Sequence, residues 1–131
     1  MTSRAAKPVL ITGCSSGIGR ATALRLAGSG YDVWATARNV DALTDLEAAG
    51  CVVRPLDVTD EASARAVVDE ITAARGSVGG LVNNAGYGEY GPVEEVSIDR
   101  WRRQFETNVF GVVRMCQLVL PGCARRAAGA S

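Results

Sequence analysis

Thr12-Gly13-Cys14-Ser15-Ser16-Gly17-Ile18-Gly19 follows the apolar run Val9-Leu10-Ile11 and opens the stretch from Arg20 to Ala27. The order predicts a strand, a glycine-rich turn and a helix. Such a turn is the layout of a dinucleotide site, because the N–H groups at a helix N-terminus bind a pyrophosphate and the helix dipole favours its charge. Gly13 permits the tight turn off the strand, Gly17 the close approach of backbone to phosphate, and Gly19 the packing of helix on strand.

Strands and helices alternate beyond this point. Val9 to Thr12 reads as the first strand, Gly17 to Ala27 as the first helix, and Tyr31 to Thr36 as the second strand. Val40 to Ala49 reads as helix, closed by Gly50, and Cys51 to Pro55 as the third strand. Thr59 or Asp60 is placed to cap a third helix whose apolar stripe is Ala64, Val67, Val68, Ile71 and Ala74. Gly80 to Asn83 is the fourth strand and Gly86 to Pro92 a loop. Ser97 caps a long fourth helix carrying Trp101, Phe105, Val109, Val112, Cys116 and Val119 near helical spacing. The residues from Cys123 to Ser131 read as a helix end or a frayed tail. The expected fold is α/β, a Rossmann-type doubly wound parallel sheet of about four strands, order 3-2-1-4, in a single domain flanked by helices.

Composition bounds the function. The 131 residues carry 14 basic and 14 acidic side chains, so no basic excess points to nucleic acid or an anionic membrane. No apolar run approaches the ~20 residues needed to span a bilayer, and the polar start shows no secretory signal. The chain is expected to be soluble and cytoplasmic. There is no histidine, and Cys14, Cys51, Cys116 and Cys123 form no C-x-x-C pair, which argues against zinc and against Ser-His-Asp or Cys-His chemistry. The cysteines read as reduced apolar residues. Cys14 stands apart because it lies beside a helix N-terminus, which can lower a thiol pKa.

The glycine spacing is G-x-x-x-G-x-G rather than G-x-G-x-x-G. With Asn83-Asn84-Ala85-Gly86 and the Asn108 segment Glu106-Thr107-Asn108-Val109, it resembles the short-chain dehydrogenase/reductase family in its non-extended branch. The resemblance runs from Gly13 to Gly122. It implies NAD(P)-dependent hydride transfer between a nicotinamide and a small-molecule alcohol or carbonyl, with Gly13, Ser15, Ser16, Gly17, Ile18 and Gly19 at the pyrophosphate and adjacent ribose. It makes Asp57 an acceptor for the adenine amino group with Val58 beside the ring, and puts Asn83, Ala85 and Gly86 along the ribose path. It gives Asn108 a place in the proton relay. Arg38 lies just past the second strand, where an acid would bind a free ribose 2′-OH. An arginine there suits a 2′-phosphate, so NADP(H) is expected over NAD(H).

No lysine follows the loop as Gly-Lys-Ser/Thr, which excludes a P-loop. No acid precedes the glycines in the first strand, which weakens a methyltransferase reading. The family's catalytic serine and Tyr-x-x-x-Lys have no counterpart: the one lysine is Lys7, and Tyr31, Tyr87 and Tyr90 lack a lysine four positions on. A tyrosine of pKa ~10 is a poor proton donor near pH 7 without a cationic neighbour. The chain thus resembles the cofactor-binding half of such an enzyme, cut before a fifth strand, and is expected to be inactive by itself. The alternative is a non-catalytic dinucleotide-binding module or an inactive truncated product. Homo-oligomers are compatible with the family. A fourth strand lacking a fifth partner is expected to expose an apolar edge and to promote instability, aggregation or edge-to-edge dimerisation.

Overall fold

The computed structural model describes residues 7–130, with side chains through residue 125. Four parallel strands, β1 (Pro8–Ile11), β2 (Asp32–Ala37), β3 (Val52–Pro55) and β4 (Gly80–Val82), form one sheet in the order β3-β2-β1-β4. The expected topology is what is found. β2 is buried from Val33 to Ala37, as a strand covered on both faces must be.

Alternation along the strands divides the core in two. Leu10 and Trp34 point to one face, where they meet Val67, Val68 and Ile71 of α3 (Glu61–Arg75) and Met115 and Val119 of α5 (Gly111–Ala130). Ile11, Val33 and Ala35 point to the other, where they meet Ala23 of α1 (Gly17–Gly28) and Leu46 of α2 (Thr44–Ala48). Each such side chain contributes roughly 1.5–3 kcal/mol on burial.

Local chemistry sets the helix boundaries. Asp60 rather than Thr59 caps α3, its Oδ1 accepting from Ala62 N at 3.0 Å; Thr59 turns back to Asp57. Ala74, expected on the buried stripe of α3, is exposed; the stripe ends at Ile71. The second helix begins as a 3-10 turn over Val40–Leu43, started by Asn39 Oδ1, which accepts from Asp41 N at 3.0 Å.

The long fourth helix is two helices, α4 (Ile98–Phe105) and α5, joined by a π-helical turn over Glu106–Phe110. Ser97 caps α4 as expected, accepting from Arg100 N at 3.2 Å. The wider turn shifts the phase of the face. Phe105 before it and Val109 within it are exposed, and the buried large side chains beyond it are Met115 and Val119. α5 continues through Pro121 to Ala130, so the segment from Cys123 is helix up to that residue. Among the described residues, no helix is long and apolar enough to cross a membrane.

Candidate functional site

At one end of the sheet each strand end is hydrogen-bonded to its neighbour. Thr36 Oγ1 donates to Ile11 O at 2.8 Å, and Cys14 N donates to Thr36 O at 2.9 Å. Leu56 N donates to Ala37 O at 2.9 Å. The buried Thr12 hydroxyl oxygen accepts from both Asn84 N and Ala85 N at 3.0 Å, and Asn84 Nδ2 donates to Gly13 O at 2.9 Å. These bonds tie the carboxyl ends of the strands into one rim, where open α/β sheets bind ligands.

A cleft of about 510 Å³ lies on this rim. Gly13, Ser15, Ser16, Gly17 and Ile18 form its middle. Ala37, Arg38, Leu56, Asp57 and Val58 form its β2–β3 end, and Asn84, Ala85, Gly86, Tyr87 and Thr107 its β4 end. Gly13 holds φ +70, and a Cβ there would lie 2.8 Å from Ala85 Cα. Gly19 sits beneath the cleft, where a Cβ would overlap Gly13 O and the Asn84 amide. It lets α1 close on the turn, as its spacing predicted.

α1 differs from α3 and α4 at its N-terminus. Ser16 has extended backbone but makes no capping bond, and the first turn holds no acid. The first N–H groups therefore face the cleft with the positive end of the helix dipole uncompensated. Ile18, 78% exposed, stands beside them as an apolar surface without protein cover.

Asp57 Oδ1 accepts from Thr59 N at 2.9 Å and Thr59 Oγ1 at 2.7 Å. Burial works against ionisation of this carboxyl. The Thr59 bonds, helped by Arg38 and Arg114, outweigh it and hold the pKa below the usual aspartate value. Asp57 is thus a fixed anionic acceptor beside a cationic Arg38. Cys14 behaves opposite to the expectation. Its thiol is fully buried, donates to Ile11 O at 3.4 Å, and is pushed by burial up to about 11. Desolvation of the thiolate wins over the nearby helix terminus.

Two asparagines do not line the cleft: Asn83, expected on the ribose path, and Asn108, expected in the proton relay. Asn83 is exposed and its Nδ2 reaches Cys116 Sγ of α5 at 3.8 Å, away from the cleft. Asn84, its neighbour in the same tetrapeptide, is the one at the cleft. Asn108 does not line the cleft. From the π turn its Nδ2 donates to Tyr87 O at 2.6 Å and its Oδ1 accepts from Tyr87 N at 3.0 Å. It thereby fixes Gly86 and Tyr87, and Thr107 beside it lines the cleft. Ala37, Leu56, Asn84, Tyr87 and Thr107 were missed as lining residues. Each adjoins a residue that the motifs did identify. Tyr87 beside Gly86 and Thr107 beside Asn108 are brought to the same cleft end by the fold.

The family model for short chain dehydrogenases matches residues 7–130. Human retinol dehydrogenase 8 is 42% identical over 135 residues, covering 95% of this chain and 42% of that protein. The NADPH-dependent 1-acyldihydroxyacetone phosphate reductase of Schizosaccharomyces pombe is 43% identical over 113 residues, covering 85% of this chain and 38% of the reductase. The crystal structure of a short-chain dehydrogenase from Streptomyces avermitilis superposes with a TM-score of 0.88 at 41% identity, over 92% of this chain and 46% of that one. The chain therefore spans less than half the length of these relatives. A glycine turn under an uncapped helix, a strand-end rim stitched by Thr12 and Asn84, and a match along almost the whole sequence have one common source: the chain belongs to the short-chain dehydrogenase family.

Proposed function

We propose that the cleft binds NADP(H), and that this chain is the cofactor-binding half of an oxidoreductase acting on a small-molecule alcohol or carbonyl. The observation that carries the reading is the uncapped N-terminus of α1 facing the cleft with Arg38 at one end of it. The donor set fits the cofactor: free amides for a pyrophosphate, a guanidinium for a 2′-phosphate, and an anionic acceptor for an adenine amino group. The NADPH dependence of the fission-yeast reductase is in keeping with this preference.

In this reading Gly13, Ser15, Ser16, Gly17 and Ile18 hold the pyrophosphate and the adjoining ribose, and Gly19 beneath them lets α1 close on the turn. Arg38 selects the 2′-phosphate. Asp57 Oδ2 accepts from the adenine, and Val58 packs on its ring. Asn84, Ala85 and Gly86 carry the second ribose over the β4 end. The nicotinamide, when bound, supplies or accepts the hydride. Asn108 serves the proton relay by holding the backbone of Tyr87 in place. Four unpaired cysteines suit a reducing, cytoplasmic setting.

Fluorescence titration of the 131-residue chain with NADPH and NADH tests the reading. Saturable binding with NADPH tighter is expected; no binding of either refutes it. A non-catalytic dinucleotide-binding module is the second reading, compatible with the same donor set at the cleft. NADPH oxidation by the chain with any of a panel of carbonyl compounds would exclude that reading.

A further inference from the structure

The loop between β4 and α4 has no sheet partner, yet it forms one wall of the cleft through Gly86 and Tyr87. Its order comes from one side of α4 and the π turn. Arg100 and Gln104 are four residues apart on one face of α4, and Asn108 of the π turn reaches the same loop. Each grips the loop. Asn108 holds both backbone groups of Tyr87. Gln104 Oε1 accepts from Glu89 N at 2.6 Å. Arg100 pairs with the Glu89 carboxylate, a side chain only 14% exposed. The three contacts run in register along the loop, from the cleft outward.

We propose that Gln104 and Arg100 are positioning residues for the second half of the cofactor. With Asn108 they set the height of the Gly86–Glu89 wall above the β4 end of the cleft. The inference rests on the cofactor reading above. Its geometry makes a selective claim. The adenosine end lies over β2 and β3, which neither residue touches, whereas the nicotinamide ribose would pass under the clamped loop. Loosening the clamp should weaken the whole dinucleotide and spare its adenosine half.

The test is calorimetric titration of the 131-residue protein with NADPH and, separately, with 2′,5′-ADP. The variants are Gln104→Leu, Arg100→Glu and the exchanged pair Arg100→Glu with Glu89→Arg. Gln104 and Arg100 are outside the core clusters, so their variants leave the sheet packing intact. Gln104→Leu should raise the NADPH Kd about tenfold, the loss of one hydrogen bond to a partly buried amide, and leave 2′,5′-ADP within about twofold. Arg100→Glu should act in the same direction, and the exchanged pair should restore affinity. Amide exchange at Tyr87 and Glu89 should quicken in both single variants. Equal weakening of both ligands, or no change for NADPH, overturns the clamp while leaving the cofactor reading intact. A wild type that binds neither ligand overturns the cofactor reading and this inference with it.

Discussion

Arg38 is the arginine of the cleft without an ion pair among the described residues, whereas Arg20, Arg54, Arg65, Arg75, Arg100 and Arg114 each face a carboxylate. A guanidinium without a salt bridge at the cleft gains from an anionic ligand, about 1.5–3 kcal/mol per charge-assisted bond. Arg38→Ala should therefore weaken NADPH roughly ten- to a hundredfold and leave NADH unchanged, read from parallel fluorescence titrations. Cys14 gives a second prediction. Its folded pKa of about 11 lies above the ordinary 9.0, so the folded state favours the protonated thiol. The resulting stability is complete below pH 9.0 and is lost as pH rises toward 11. Urea midpoints should fall over that window, and less steeply in Cys14→Ala. At neutral pH the native thiol should resist iodoacetamide and react only on unfolding. The sequence made the glycine turn legible because all its working residues are contiguous. It misread Cys14, because the proximity of a helix terminus is visible in one dimension and full burial is not. Asn83 and Asn84 differ only by strand phase, which no single tetrapeptide fixes.

Elements show the same division between local and long-range causes. The four strands follow from β-branched and apolar runs between turn residues, and their order from right-handed crossovers. The π turn at Glu106–Phe110 carries no residue signal of its own, so the phase of the face beyond it was unreadable. Arg100 and Gln104 belong to no motif and acquire a role only when α4 meets the loop from Gly86. α3 illustrates a cause that is wholly local. Asp60 caps it through Ala62 N and Ser63 N, and Arg54–Glu70 and Arg75–Asp32 tie its body to β3 and β2. Both guanidinium groups also stand over Trp34, at 5.6 and 5.7 Å from the ring centre. The ion pairs are substantially exposed, so screening limits what each adds. The cap is the stronger local term. Asp60→Ala should cost about 1 kcal/mol, a Tm drop of about 3–6 °C, whereas Asp60→Asn should stay near wild type in a calorimetric scan.

At the scale of the whole molecule, two unpartnered surfaces meet a chain with no net charge. Among the described residues β4 pairs only with β1, which leaves its other edge with open backbone donors and acceptors. Leu81 and Val82 on that strand are only partly buried. Beside it, α4, the π turn and α5 expose Ile98, Phe105, Phe110, Val113 and Leu120, each more than 45% accessible. Ile98, Phe105 and Phe110 line one surface hollow with Trp101, an exposed apolar feature of the sort that drives association. Fourteen basic and fourteen acidic side chains cancel, so no long-range repulsion opposes close approach. The 131-residue chain should therefore self-associate in a concentration-dependent way, and sedimentation velocity from micromolar to hundred-micromolar loading is the direct measurement. Salt should change the weight-average mass little, because apolar burial and backbone pairing are weakly screened, whereas charge-driven association would dissociate. Phe105→Lys with Phe110→Glu separates the two surfaces. Loss of association assigns it to the helical face, and its persistence assigns it to the β4 edge. A stable monomer across the whole range, unfolding cooperatively, would mean that neither surface is adhesive and that the sheet is self-sufficient with four strands.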